Sequence, residues 1–320
     1  MIEFHGLGRC FGDFWAVRDL SFTVPAGRIC GFIGPNGAGK STSMRILATL
    51  DLPSEGRTLV DGVDGTQEPD RVRRALGFMP DSYGAYPNMT VAEYLDFFAR
   101  AYGLHGAARA KRVADIADFC QLGEMLGKAA TSLSKGMKQR LCLGRCLIND
   151  PRVLILDEPT AGLDPRARIE FRDLIRVLAG QGRTLLISSH ILSELEEICD
   201  QVAIIERGRL VAEGSVAAVK ARARAAAQSD ASPERRIRLE VRFPAADATV
   251  VERTLAEQPG LADIRNEGHD CWTADAPADP QIHAAVVRAL VLAGQSPCHV
   301  DARGGNLEDA FMKLTEGAVQ

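Results

Sequence analysis

The segment "GPNGAGKS", residues 34 to 41, sets a lysine and a serine directly behind three glycines. An apolar run, "RICGFIG", leads into it and a helical pattern follows, which is the setting a phosphate-binding loop requires. Glycines let successive backbone N–H groups converge on phosphate oxygens, and the start of the next helix adds partial positive charge. Gly34, Pro35, Asn36, Gly37, Ala38, Gly39, Lys40, Ser41 and Thr42 are therefore read as a cradle for nucleotide phosphates. Lys40 has the reach for the β- and γ-phosphates, and the Ser41 hydroxyl is a ligand for Mg²⁺. The plain alternative is a glycine-rich turn without a ligand; a strand before and a helix after it favour the site.

Two further segments add chemistry. In "VLILDEPT", Asp157 ends an apolar strand and can hold Mg²⁺ through water, while Glu158 beside it can polarise an attacking water. Either carboxylate could instead be a helix cap or an ion-pair partner. His190 follows "TLLISS" at the C-terminal end of another predicted parallel strand, where ligands of open α/β sheets sit. A lone histidine is more often a surface or core residue than a catalyst. Then "SLSKGMKQRLCLGRCL", residues 132 to 147, packs Ser134, Lys135 and Gly136 into one polar turn ahead of a helix. A hydroxyl, a glycine N–H and a helix N-terminus make an anion site, yet the turn has no ligand of its own nearby in the chain.

The elements that must position these groups follow an α/β pattern up to about residue 220. "RICGFIG", "RVLILDE", "TLLISSH" and "QVAIIE" are short Ile/Leu/Val-rich runs suited to strands buried on both faces. "IEFRDLIRVLAGQG" places Phe171, Leu174, Ile175 and Leu178 at helical spacing, a crossover helix. Residues 84–150 read as mostly helical, with Thr90 and Glu93 as a capping box. Residues 221–236 carry Ala, Arg, Ser and Asp and no large apolar residue, a linker or frayed helix. Beyond it, Ile237, Leu239, Val241 and Phe243 alternate with polar residues as a half-exposed strand. Asp279, Pro280 and Gly294 bracket a helix, and a β-α-β-β-α-β order over 237–320, closed by a helix at "NLEDAFMKLTEG", makes a small α+β domain.

Composition narrows the classes. The chain has 320 residues, 46% apolar and 25% charged, with a formal net charge of −4. A nucleic-acid binder held by bulk electrostatics is therefore not expected. No secretory signal and no apolar stretch of bilayer length is seen. The eight cysteines lack metal-finger spacing and are expected as reduced, packed side chains. All four tyrosines, 83, 86, 94 and 102, cluster with Phe97 and Phe98. Tyr94, Phe98 and Tyr102 share a helical face expected in the core, while Tyr83 and Tyr86 precede the helix cap and could anchor a partner protein.

With "GPNGAGKS", "LSKGM", "LILDEP", "AGLD" and "SSH" in this order, residues 1 to about 220 resemble the ATPase subunit of an ATP-binding cassette (ABC) transporter. The resemblance implies a phosphate-loop NTPase cassette, a mixed sheet core with an inserted helical subdomain at about 84–150. The ligands are then ATP and Mg²⁺. It also implies that the turn formed by Leu133, Ser134, Lys135, Gly136 and Met137 binds the γ-phosphate held by a second, facing copy. The family's usual form of that turn is LSGGQ, so Lys135 and Met137 replace a Gly and a Gln. Asp164 would contact the opposite copy, with a helix-capping turn as the plain alternative, and His190 and Lys40 would hold the γ-phosphate.

The resemblance places an adenine-stacking aromatic at Phe11, with Phe14 and Trp15 as rivals. Asp81 stands where the family carries a Gln near Mg²⁺; it can ligate the cation or cap a turn. Tyr83 and Tyr86 fall where a short helix of a separate membrane permease docks. The chain's tail resembles ABC-2-type exporters, so export at the cytoplasmic face of the cell membrane is expected. The rival is a soluble ABC ATPase that remodels a macromolecular complex; the single cassette and absence of heptads argue against it.

Overall fold

The computed structural model describes residues 1–81, 88–189, 191–229, 236–268, 270–277, 279–303, 311 and 315. The chain divides into two compact units, Met1–Val219 and Lys220–Lys313. In chain order the first contains strands β1 (Ile2–Phe11) and β2 (Phe14–Val24), then β3 (Ile29–Ile33) and helix α1 (Lys40–Leu47). Next come β4 (Glu55–Val60), β5 (Val63–Asp64), α2 (Pro69–Ala75) and β6 (Leu76–Met79). Three longer helices follow, α3 (Val91–Ala101), α4 (Gly106–Phe119) and α5 (Lys135–Leu147). The unit closes with β7 (Val153–Leu156), α6 (Pro165–Gly180), β8 (Thr184–Ser188), α7 (Leu192–Ile198), β9 (Gln201–Glu206) and β10 (Arg209–Ser215).

Two sheets form the first unit. β10-β9-β3-β8-β7-β6 is a six-stranded sheet, parallel except for edge strand β10. Its inner strands are buried along their length because layers cover both faces, which is why they read as unbroken apolar runs. β2-β1-β4-β5 is antiparallel. Phe4 and Phe22 stack at 4.4 Å, and Phe22 lies 5.5 Å from Phe32 of β3, so one apolar core joins the two sheets. The helices α3, α4 and α5 are inserted in the chain between β6 and β7, which pair directly in the sheet. Thr90 and Glu93 form the capping box of α3.

Some side chains depart from expectation. Tyr94 is buried and packs on half-buried Phe98 at 5.0 Å, but Tyr102 is 44% exposed, because it caps the C-terminus of α3 where the apolar face runs out. The cysteines are free, and Cys30, Cys120, Cys142 and Cys146 are buried as packed thiols. Burial pushes Cys30 and Cys120 up to about 12. Cys298 is exposed, on a loop with no apolar layer over it.

Of the stretch read as a linker or frayed helix, 221–236, residues 221–229 continue helix α8 (Val216–Ser229), since their Ala and Arg residues favour helix even without an apolar face. The second unit then runs β11 (Arg236–Arg242), α9 (Ala248–Ala256), β12 (Ala262–Gly268), β13 (Cys271–Pro277), α10 (Pro280–Leu292) and β14 (His299–Arg303). Its antiparallel sheet has the order β12-β13-β11-β14. Leu239, Val241, Trp272, Leu255 and Leu290 form its own core. Asp279 Oδ1 accepts the Gln281 N–H at 2.8 Å, capping α10. The closing helix expected at 306–317 falls largely outside the described residues.

Candidate active site

The glycine-rich loop leaves β3 and enters α1 through Gly39, which sits at φ +101 as the N-cap. A side chain there would be strained by the left-handed backbone and would collide with the Ala16 carbonyl. Lys40 is buried, and its ammonium folds back over the loop, donating to the carbonyls of Gly34 at 2.7 Å and Pro35 at 3.1 Å. Burial lowers the Lys40 pKa, with Glu158 and Asp157 pulling it back up. The loop is thus held shut around a cation.

Around this loop lies a pocket of about 390 Å³. It is lined by Phe11, Phe14, Ala16, Asn36, Gly37, Ala38, Gly39, Lys40, Ser41, Thr42, Asp81 and Glu158. Ten of these positions were expected from sequence as site residues, and Phe14 as a rival to Phe11; the structure brings them to one cavity. Phe11 and Phe14 face each other across a tight turn. Both rings are exposed, and the Arg9 guanidinium stacks over Phe11 at 4.5 Å. Ala16 was not foreseen: it contributes by the close approach of its carbonyl to Gly39, which no side-chain pattern announces.

The acidic pair sits where β7 ends. Asp157 is buried and accepts from Ser188 Oγ at 2.6 Å, and the same hydroxyl accepts the Glu158 N–H at 2.8 Å. Glu158 has φ +49, a left-handed conformation that costs a side chain with a Cβ roughly 1–2 kcal/mol. Farther on, Thr160 donates to Glu194 Oε2 at 2.8 Å. Ser188, Thr160 and Glu194 escaped the sequence reading; small polar residues beside a strand end carry no spacing signal.

The oxygens available suit a hard divalent cation: the exposed Ser41 at the head of α1, the Asp157 carboxylate and Asp81 at the pocket wall. Among the described residues no three of His, Cys, Asp and Glu gather into a metal cage. A magnesium ion here would take its remaining ligands from phosphate and water.

Ser134, Lys135, Gly136, Met137 and Asp164 are absent from the pocket lining. They meet each other instead. Ser134 caps α5, accepting the Met137 N–H at 3.3 Å, and Asp164 caps α6, accepting the Ala167 N–H at 2.9 Å. A Cβ added at Gly136 would lie 3.5 Å from that of Ala167, and one at Gly162 would collide with the Lys135 ammonium. The start of α5 therefore packs against the start of α6, with the Lys135 ammonium beside Gly162. Capping, the plain reading of Asp164, is present in the single chain. His190, Tyr83 and Tyr86 lie outside the described residues.

A phosphate loop on a parallel strand, with an acidic pair at the end of a strand two places away, defines a P-loop nucleoside triphosphatase. Residues 17–161 match the family model described as ABC transporter. Over 319 residues the chain is 34% identical to the Nod factor export ATP-binding protein I of Burkholderia lata, covering 100% of this chain and 98% of that protein. It is 37% identical over 234 residues to a probable multidrug ABC transporter ATP-binding protein of Escherichia coli, covering 73% of this chain and 40% of that protein. A solved ATP-binding subunit of an ABC transporter superposes with a TM-score of 0.64 at 30% identity, over 69% of this chain and 92% of that one. The chain belongs to the ABC transporter family, as an ATP-binding subunit that hydrolyses ATP. Among the described residues no helix is long and apolar enough to cross a membrane.

Proposed function

We propose that two copies of this chain close head to tail around two molecules of ATP and drive export through a separate membrane permease. One observation carries the reading: the pocket gathers the phosphate loop, Asp81 and Glu158, while the Ser134 turn and Asp164 stand together elsewhere. An anion site built from exposed helix N–H groups has no anion in its own chain. A triphosphate presented by a facing copy supplies one.

In this arrangement the backbone N–H groups of residues 36–41 wrap the β- and γ-phosphates, and Lys40 turns from the Gly34 and Pro35 carbonyls toward them. Ser41, Asp157 and Asp81 hold Mg²⁺, which screens the phosphate charge. Phe11, or Phe14 across its turn, stacks the adenine. Glu158 orients the attacking water, and His190 holds the γ-phosphate. Ser134 and Gly136 of the facing copy donate to the γ-phosphate, flanked by Lys135 and Met137, while Asp164 meets the opposite copy. Catalysis is then a matter of position and charge stabilisation.

Export is supported by the two relatives, one a Nod factor export ATP-binding protein and one a probable multidrug ABC transporter ATP-binding protein. The chain would sit on the cytoplasmic face of the cell membrane, held by its permease through Tyr83 and Tyr86. Size-exclusion chromatography of the Glu158→Gln variant with ATP and magnesium tests the core of this reading. A dimer that dissociates on removing ATP is expected; a monomer at every nucleotide concentration, with or without the co-purified permease, overturns it.

A further inference from the structure

β7 and β8 run side by side and parallel, with Leu156 opposite Ile187. The residues that come next, Asp157 and Ser188, therefore meet at the C-terminal ends of the two strands. Ser188 is fully buried and has one hydroxyl proton, which goes to Asp157 Oδ1 at 2.6 Å. Its oxygen is then free to accept the Glu158 N–H at 2.8 Å. One side chain thus sets the direction of a carboxylate and the plane of the next peptide, at the residue whose φ is +49. A second tie lies two residues further along. Thr160 Oγ1 donates to Glu194 Oε2 at 2.8 Å, both side chains buried, and Arg168 Nη1 closes on the same carboxylate at 3.5 Å.

Ser188 ends β8 and Glu194 lies in α7, so these two residues grip the segment 157–160 at two points. We infer that Ser188 and Glu194 are positioning residues that hold the acidic pair in its orientation at the end of β7. The inference rests on the reading of Asp157 and Glu158 as the acids of the hydrolytic site. Neither residue touches nucleotide; both act through the groups they hold. Buried polar pairs of this kind fix geometry because leaving either partner unpaired is costly.

The test uses the full chain and the variants Ser188→Ala, Ser188→Thr and Glu158→Gln. It follows phosphate release, affinity for a fluorescent ATP analogue and the melting curve. Ser188→Ala is expected to lose about tenfold or more in turnover, with analogue affinity within threefold and a cooperative melt; Ser188→Thr, which keeps the hydroxyl, returns to within threefold of the parent. Turnover of Ser188→Ala within twofold of the parent overturns the inference, as does an equal loss of turnover and affinity, or no recovery in Ser188→Thr. The second tie is read by Thr160→Val, Glu194→Ala and the double variant. The double is expected to be no slower than the slower single, and losses that multiply overturn that tie. Glu158→Gln separates the two levels: unimpaired turnover in it defeats the hydrolytic reading, whereas an inactive Glu158→Gln beside a normal Ser188→Ala defeats the positioning role alone.

Discussion

The two units differ in where most of their charged networks lie. In the first, Lys40, Asp157, Thr160, Ser188 and Glu194 are buried on and around the C-terminal ends of the parallel strands, in the loops and helices that follow them, each with a specific partner or a pocket beside it. In the second, the principal network is an arginine, Arg238, shared by Asp263 at 2.9 Å and Asp275 at 3.0 Å, with Asp263 44% exposed. The parallel sheet is covered on both faces, so a polar group at its strand ends must be satisfied internally. An antiparallel sheet can turn one face to water, so most of its charges need no such arrangement; Glu240 is the buried exception among the described residues, accepting from Arg242 Nε at 2.6 Å. Burial, strain at Glu158 and a lowered Lys40 pKa all collect in the first unit, as functional sites collect them.

That contrast breaks if substitutions in the two units have the same kind of effect. Glu158→Gln should lower phosphate release about a hundredfold or more while the melting curve barely moves. Trp272→Ala should do the reverse: it empties the second core, where the indole packs edge-on against Phe243 at 5.6 Å, and costs about 3–5 kcal/mol in denaturant unfolding of that unit. Nucleotide affinity should stay within about twofold of the parent, because the pocket residues belong to the other unit.

Smaller effects sharpen the comparison. Asp164→Ala removes the cap of α6 and should destabilise the first unit by about 1 kcal/mol in urea titration. Arg238→Ala in the partly exposed network should cost under about 1 kcal/mol, and less still in 1 M salt. Lys40 supplies a pH test. Its folded pKa lies below the unfolded lysine value of 10.5, so the folded chain sheds that proton first. Stability from this group therefore rises as pH climbs from the folded pKa toward 10.5, and ATP affinity falls over the same window as the ammonium is lost. NMR titration of the ATP-free chain should show Lys40 titrating below 10.5 and moving up when ATP is added.

Legibility differed sharply between residues. The phosphate loop was readable because Gly34, Gly37, Gly39, Lys40 and Ser41 fall at fixed offsets within residues 34–41, and the geometry they impose is local. Asp157 and Glu158 were readable because an apolar run ending in two acids is itself a signal. Tyr102 shared a helical period with Tyr94, yet it lies at the helix end, and period alone does not say how far a partner layer extends. Residues 221–229 were legible only as one of two alternatives, linker or frayed helix, because the stretch lacks an apolar stripe and helix there rests on backbone propensity.

The chain by itself determined which backbone turns could form, which runs would be buried on both faces, and which side chains could hold phosphate or polarise water. Those are properties of neighbours in sequence. Tertiary structure decided the rest: that Ser188 stands 2.6 Å from Asp157, that Ala16 closes on Gly39, and that the Ser134 turn lies against α6 rather than in the pocket. Such contacts depend on the register of parallel strands far apart in the chain, and no local spacing encodes a register that only packing selects.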